Sequence, residues 1–410
     1  MFDYLIIGAG ITGVTIGRLL QLKNIKNFII LEAEDSAGGL CKTIKIDGNI
    51  LDIGGGHFLC SKFPNVYSFI FSHIPEDNFN FYDRISKVKV YNYYIDYPLE
   101  TNLWQLPRKL QIKFIISIYK NKFLKYKSKP NNFDEWIRFN LGDKIANLYM
   151  IPYNKKIWGL DPKKMDINWL PKIPVLNSKE IIKSLFFKKS LRYKIPSHVG
   201  FYYPKKNGFQ IIFDSIFNHI KDKVILKNPI QKLRFKGSYW EVNDEFLTKN
   251  IINTAPWPEL IEPLNVPDRL KMHFEKLKAN SIVISLWEKN YNNNWHWCYI
   301  PDMDIPYHRE FYIKNFSPSS KANSVYTETN ISYWSNCNKF SKRNKEPIFE
   351  HINKYAYPIP LLGSQDSINE ILNYYKKLRI FGVGRWGQWQ YFNADVCILE
   401  AMKFINNLNL

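Results

Sequence analysis

The sequence predicts an α/β fold with α+β elements: one discontinuous domain, an inserted helical domain and an antiparallel sheet domain. Three observations predict it. The run DYLIIGAGITG, Asp3 to Gly13, carries an apolar strand pattern into a helical one through closely spaced glycines. Residues 103–195 then read as mostly helical, and 279–334 alternate apolar and polar residues over several runs. Finally, LRIFGVGRWGQ reads as a strand entering a glycine turn and DVCILEAMKFINNL as a last helix. That closing unit brings the chain back to the domain in which it began.

The opening element is the most specific. Residues 4–7 are apolar, and Gly8, Gly10 and Gly13 form G-x-G-x-x-G ahead of the helical pattern GVTIGRLLQL. The first glycine permits the tight turn, the second lets backbone approach a pyrophosphate, and the third lets helix and strand pack closely. A second apolar run, FIILE, ends in Glu32, placed to accept hydrogen bonds from a ribose. After it, AEDSAGGLCKT holds a glycine pair, Gly38 and Gly39, for which a nicotinamide-binding domain has no particular need. On these residues the chain resembles the superfamily of FAD-dependent amine oxidases and UDP-galactopyranose mutases, in which such a pair lies along the flavin phosphates. The resemblance implies FAD, bound non-covalently, in a Rossmann-like domain.

The later elements follow in order. ISKVKVYNYYIDYPL at 85–99 reads as strands. In NFDEWIRFNLG, Asn132 is a candidate helix cap and Gly142 a candidate stop. VILKNPIQKLRF and KNIINTAP form a strand series ending in a proline turn, and NSIVISLWEKN and SVYTETNISYW suggest an antiparallel sheet. The expected division is a FAD-binding domain at 1–85, 199–265 and 358–410, a helical insert at 100–198, and a sheet domain at 266–357 with part of 85–99.

Composition sets bounds. A chain of 410 residues with 45% hydrophobic and 16% aromatic residues can bury a large core. No apolar run approaches the roughly 18–20 residues that span a bilayer, and the chain opens directly on its first strand, so a cytoplasmic protein is expected. The five cysteines are scattered without a C-x-x-C or zinc spacing, so no metal is expected. The net charge of +20 fits either an AT-rich coding bias or an anionic partner, but no nucleic-acid module is present. The densest basic stretch, 106–130, reads as a helix with an apolar face. Its basic face is either simply solvated or in peripheral contact with a membrane.

Four further motifs carry chemistry. In DIGGGHFLCSKF, Gly55 and Gly56 let backbone pass close to a flat ligand and His57 follows them. The mutases have a Gly/Pro-His-aromatic segment here that faces the isoalloxazine; a structural histidine is the alternative. KKIWGLDP is similar to their Lys-x-Trp-Gly segment, which implies that Trp158, read as an exposed loop tryptophan, lines a nucleotide-sugar pocket. Downstream, Lys172 to Leu176 departs from the Arg-x-Pro-Val-Arg run of many bacterial mutases by lacking the second basic residue. PYHREFYIKNFSP is similar to the Pro-aromatic-x-Arg…Asn-aromatic-Ser-Pro run of the mutases, which implies that Arg309 is a diphosphate clamp, with a salt bridge inside the sheet as the alternative. FGVGRWGQWQYFNADV resembles the mutases' closing Gly-Arg-aromatic…Tyr segment; it implies Gly384 and Asn393 beside the flavin and Arg385 and Tyr391 on the substrate diphosphate.

The resemblance therefore implies a flavin-dependent isomerase, UDP-galactopyranose mutase-like, that interconverts pyranose and furanose forms of a nucleotide sugar. The chemistry it implies is covalent catalysis from N5 of reduced FAD, without net redox change, after reduction by NAD(P)H or another reductant. The alternative is an amine oxidase or desaturase, which favours an apolar aromatic cage and needs no pair of arginines.

Overall fold

The computed structural model describes residues 1–121, 129–170, 178–189, 199–321, 323–334 and 346–408. Two seven-stranded sheets organise it. The first grows from the apolar strand Phe2–Ile7, flanked in parallel by Phe28–Leu31 and Phe246–Asn253. Leu5, Ile6 and Ile30 are fully buried, as a parallel sheet covered on both faces requires. On its far side Phe246–Asn253 takes two partners in succession. Its first half pairs antiparallel with Trp240–Val242, and its second half pairs parallel with Ile380–Gly382. The closing segment thus rejoins the first sheet, and the last helix, Ala394–Asn407, packs on the first, Ile11–Leu22.

The second sheet runs in the order Phe349–Pro358, Ala279–Glu288, Ser324–Asn330, Arg309–Phe311, Trp297–Tyr299, Ser86–Val90, Tyr93–Asp96. It is not wholly antiparallel as expected, because Trp297–Tyr299 and Ser86–Val90 run parallel. These two strands enter from opposite sides of a long excursion, and such a connection allows the parallel sense that a hairpin forbids.

Between the sheets in sequence lie helices Arg108–Lys120, Phe133–Ile145, Ile151–Trp158 and Ser178–Phe187. Asn132 does cap its helix, accepting from the Glu135 amide at 3.0 Å, while the Glu135 carboxylate reaches back to the Asn131 amide. Gly142 breaks the helix as expected: at φ +73° and ψ 158° it is non-helical and parts two helical runs at a kink, and a Cβ there would lie 2.6 Å from the Ile118 amide nitrogen. The glycine lets this helix cross the backbone of Arg108–Lys120 closely, so the chain continues through Ala146–Met150 into Ile151–Trp158. No helix among the described residues is long and apolar enough to cross a membrane.

Candidate active site

The first βαβ unit forms one wall of a cavity of about 500 Å³. Gly8 turns the chain at φ +95°, and a Cβ on Gly13 would sit 2.0 Å from the Gly8 carbonyl oxygen. That contact closes helix onto strand. Gly10 differs: a Cβ there would meet nothing within 4 Å, because its face opens on the cavity. Helix Ile11–Leu22 starts at this point without a capping side chain, leaving its first amides and its positive end for a ligand. Glu32, from the end of the second strand, accepts from the Ala9 amide at 2.7 Å and the Glu34 amide at 3.1 Å. Gly38 donates to the Ala9 carbonyl at 3.0 Å, so the glycine pair is laid across the glycine turn. Gly38, Gly39 and Glu32 all line the cavity, together with Thr254, whose hydroxyl lies 3.2 Å from the Gly8 carbonyl, and Lys354. An uncapped helix start, an unobstructed glycine and the Glu32 carboxylate fit FAD: the first two would hold its pyrophosphate and the carboxylate its ribose.

His57 and Arg385 also line the cavity. The glycines ahead of His57 make room for the protein itself. A Cβ on Gly55, at φ +98°, would lie 2.6 Å from the Glu328 carboxylate, and one on Gly56 would lie 2.3 Å from the Phe311 ring. Neither glycine is part of the cavity wall. The Gly56 amide donates to Glu328 at 2.8 Å, and His57 Nδ1 lies 3.1 Å from the Gly55 carbonyl. A carbonyl only accepts, so Nδ1 carries the hydrogen and Nε2 keeps its lone pair. Burial, and then the Arg385 charge, pull the His57 pKa down to about 4, so the ring is neutral at pH 7.

Glu328 is the central residue that sequence reasoning missed. It is fully buried on Ser324–Asn330, directly across the antiparallel ladder from Arg309. Directly opposed side chains in such a ladder touch. Arg309 Nε donates to Glu328 Oε2 at 2.7 Å and its terminal nitrogen lies 2.5 Å from the same oxygen. Burial alone would raise the Glu328 pKa, but Arg309 and then His308 and the Gly56 amide outweigh it and hold it at about 2. The available signal was an acid inside SVYTETN, a strand buried along its whole length. The sheet salt bridge weighed for Arg309 is therefore present. It occupies only one edge of the guanidinium, leaving three N–H bonds without a partner among the described residues.

Arg385 is buried and fixed by backbone. Its Nε donates to the Phe392 carbonyl at 2.6 Å and a terminal nitrogen to the Ala356 carbonyl at 3.0 Å. Both guanidinium charges act on Tyr357, Tyr391 and His57, which places the arginines around one locus. Arg309 and Tyr391 are not part of the cavity wall itself. Burial raises the Tyr391 pKa despite both arginines, so its phenol stays protonated.

Trp158 requires a correction. It is neither exposed nor in a loop: it ends helix Ile151–Trp158, is 3% exposed, and donates from Nε1 to Asn154 at 3.1 Å. The left-handed Gly159 that follows is what ends the helix. The indole meets Tyr391 edge-on at 5.6 Å and Tyr357 at 6.1 Å, so it buttresses the tyrosines from behind. Gly384 faces Thr12, where a Cβ would clash at 2.3 Å, and so presses the closing turn onto the first helix. Asn393 stands at the N-cap position of the last helix without a side-chain capping bond, as an exposed residue outside the cavity wall, and its neighbour Ala394 lines the cavity instead. The stretch from Lys172 to Leu176 lies outside the described residues. No cluster of metal ligands occurs among those described.

The glycine turn, the closing strand and the closing helix make a Rossmann-like nucleotide cradle, and the second sheet contributes His351 and Lys354 to the same cavity. Residues 6–71 match the family model of the NAD(P)-binding Rossmann-like domain. The whole chain is similar to dTDP-fucopyranose mutase of Escherichia coli, 23% identical over 98% of this chain and 97% of that one. It is also similar to UDP-galactopyranose mutase of Mycoplasma genitalium, 25% identical over 98% and 93%. A crystal structure of reduced UDP-galactopyranose mutase superposes with a TM-score of 0.88 at 20% identity, covering 100% of this chain and 95% of that one.

Proposed function

We propose that the protein is a flavin-dependent mutase that interconverts the pyranose and furanose forms of a nucleoside-diphosphate sugar. The observation that carries this reading is the pair of arginines, each held on one edge and each acting on the same tyrosines beside the flavin cavity. An oxidase acting on an amine would gain nothing from two cations at that place, since they repel its substrate. The full-length similarity to two pyranose mutases points the same way.

When bound and reduced, the flavin supplies the nucleophile for the anomeric carbon; Glu32, the glycine turn and the Gly38–Gly39 pair would hold its ribose and phosphates. The chain's own residues do the rest. Arg309 and Arg385 present their unshared N–H bonds to the diphosphate, which must leave the sugar, stay within reach and return. Prearranged charge-assisted donors stabilise that developing charge without reorganising. Glu328 and the two backbone carbonyls keep both guanidinium groups oriented while the diphosphate departs. Tyr391 donates its phenolic hydrogen to a phosphate oxygen, with Trp158 limiting its motion. His57 offers a neutral Nε2 acceptor on the flavin side. The reductant is external, NAD(P)H or another donor, and is needed to activate rather than to turn over.

The test uses the FAD-loaded protein, reduced with dithionite under anaerobic conditions and given UDP-galactose or dTDP-fucose in the furanose and pyranose forms. Furanose–pyranose exchange with reduced protein only, and no reductant consumed per turnover, is expected. Exchange by oxidised protein, or peroxide release dependent on an added amine, would overturn the proposal.

A further inference from the structure

We propose that the neighbouring helices Arg108–Lys120 and Ser178–Phe187 form a surface that binds the face of an anionic phospholipid bilayer. Arg108–Lys120 buries Phe114, Ser117 and Ile118, and sets Lys109, Ile112, Lys113, Ile116 and Lys120 on its exposed side. Those positions recur at three- and four-residue intervals, so they form one stripe. Ile112 is 57% and Ile116 60% exposed. Ser178–Phe187 repeats the pattern. Ile181 and Ser184 are buried, Lys179 and Lys183 are exposed, and Phe186 and Phe187 stand 86% and 75% exposed at its end. The two helices pack against each other.

Single exposed apolar residues need no explanation, but four large ones on two adjoining helices do. Their interleaving with lysine selects the occupant. Arg108–Lys120 contains no aspartate or glutamate, in a chain whose net charge is +20. A two-fold contact with a second copy would set this patch against itself, cation facing cation. An anionic lipid surface satisfies both features: lysine heads reach the phosphates while isoleucine and phenylalanine enter the acyl boundary. Neither helix is long enough to span, so both would lie in the plane of the interface.

The experiment is flotation of the full-length, FAD-loaded protein with vesicles. Binding is expected to vesicles of phosphatidylcholine with about one-third phosphatidylglycerol, to weaken with salt, and to be absent with phosphatidylcholine alone. Lys113→Glu with Lys120→Glu should cut partitioning by about tenfold or more. Ile116→Asn with Phe186→Asn should also cut it by about tenfold, since each exposed chain contributes its buried methylenes. All four sites are exposed, so FAD content should stay at the wild-type level, a readout independent of the catalytic proposal. Three results would overturn the inference: no vesicle binding, equal binding to neutral vesicles, or loss through the charge variant with none through the apolar one. A wild-type dimer that Ile116→Asn dissociates, without vesicle binding, would assign the face to a second copy instead.

Discussion

Replacing Glu328 by glutamine removes the charge that holds Arg309 while keeping an oxygen for the Gly56 amide. The magnitude follows from the acid's own titration. Its pKa falls from an ordinary 4.5 to about 2 in the folded protein. That difference corresponds to about 3 kcal/mol. The folded pKa is depressed, so this stability is present above pH 4.5 and is lost as pH falls towards 2. Removing one partner of a buried ion pair costs about 3–5 kcal/mol in general, and the retained amide oxygen puts this variant at the low end. Urea unfolding of the FAD-loaded protein should therefore show Glu328→Gln less stable by about 3 kcal/mol at neutral pH, with the two curves converging in acid. Nucleotide-sugar turnover should fall by about 10–100-fold, the loss of one charge-assisted contact as Arg309 loosens. An unchanged midpoint at neutral pH, or a gap that persists undiminished into acid, would refute the reasoning.

Glu32→Ala should lower FAD retention by about 1–3 kcal/mol, since two amides and a ribose lose their acceptor; flavin absorbance after gel filtration measures it. Arg385→Ala should cost turnover far more than FAD content, and Arg385→Lys should restore little, because a lysine cannot reach Phe392, Ala356 and a phosphate together; kcat at matched flavin loading decides. Asp52 titrates in the opposite sense to Glu328. Burial outweighs its bonds from Thr43, Tyr203 and Phe209, and its pKa rises from 3.8 to about 6. A raised folded pKa gives stability that is full below pH 3.8 and lost as pH rises through 6, a change of about 3 kcal/mol. Asp52→Asn should gain on wild type across that window; a gap constant with pH would contradict it.

The parts of this molecule that were legible in the sequence are those encoded locally. The glycine turn, Glu32 and the Gly38–Gly39 pair lie within one βαβ unit, where spacing alone dictates geometry. The Asn132 cap is equally local. What sequence reasoning missed depends on which distant segments meet. Glu328 matters because its strand lies in register with Arg309, and the ladder of strands sets that register. Trp158 looked exposed because Gly, Asp and Pro follow it, yet Tyr391, far along the chain, closes over it. The helix break at Gly142 is legible, but nothing nearby reveals the backbone of Ser117 and Ile118 that it must pass. The parallel pairing of Ser86–Val90 likewise comes from a partner about two hundred residues away.

The strand Ile380–Gly382 joins the sheet that Phe2–Ile7 begins, and His57, Thr254, Lys354 and Arg385 all line one cavity. On a ribosome these pieces emerge in that order, so the glycine turn waits, half-walled, through most of the chain's synthesis. Cofactor capture should then be a late event that follows release of the closing segment. Nascent chains arrested before Arg385 would carry an intact glycine fingerprint and still hold no flavin. Cellular FAD would act on the finished polypeptide as a folding ligand, drawing together segments translated far apart in time.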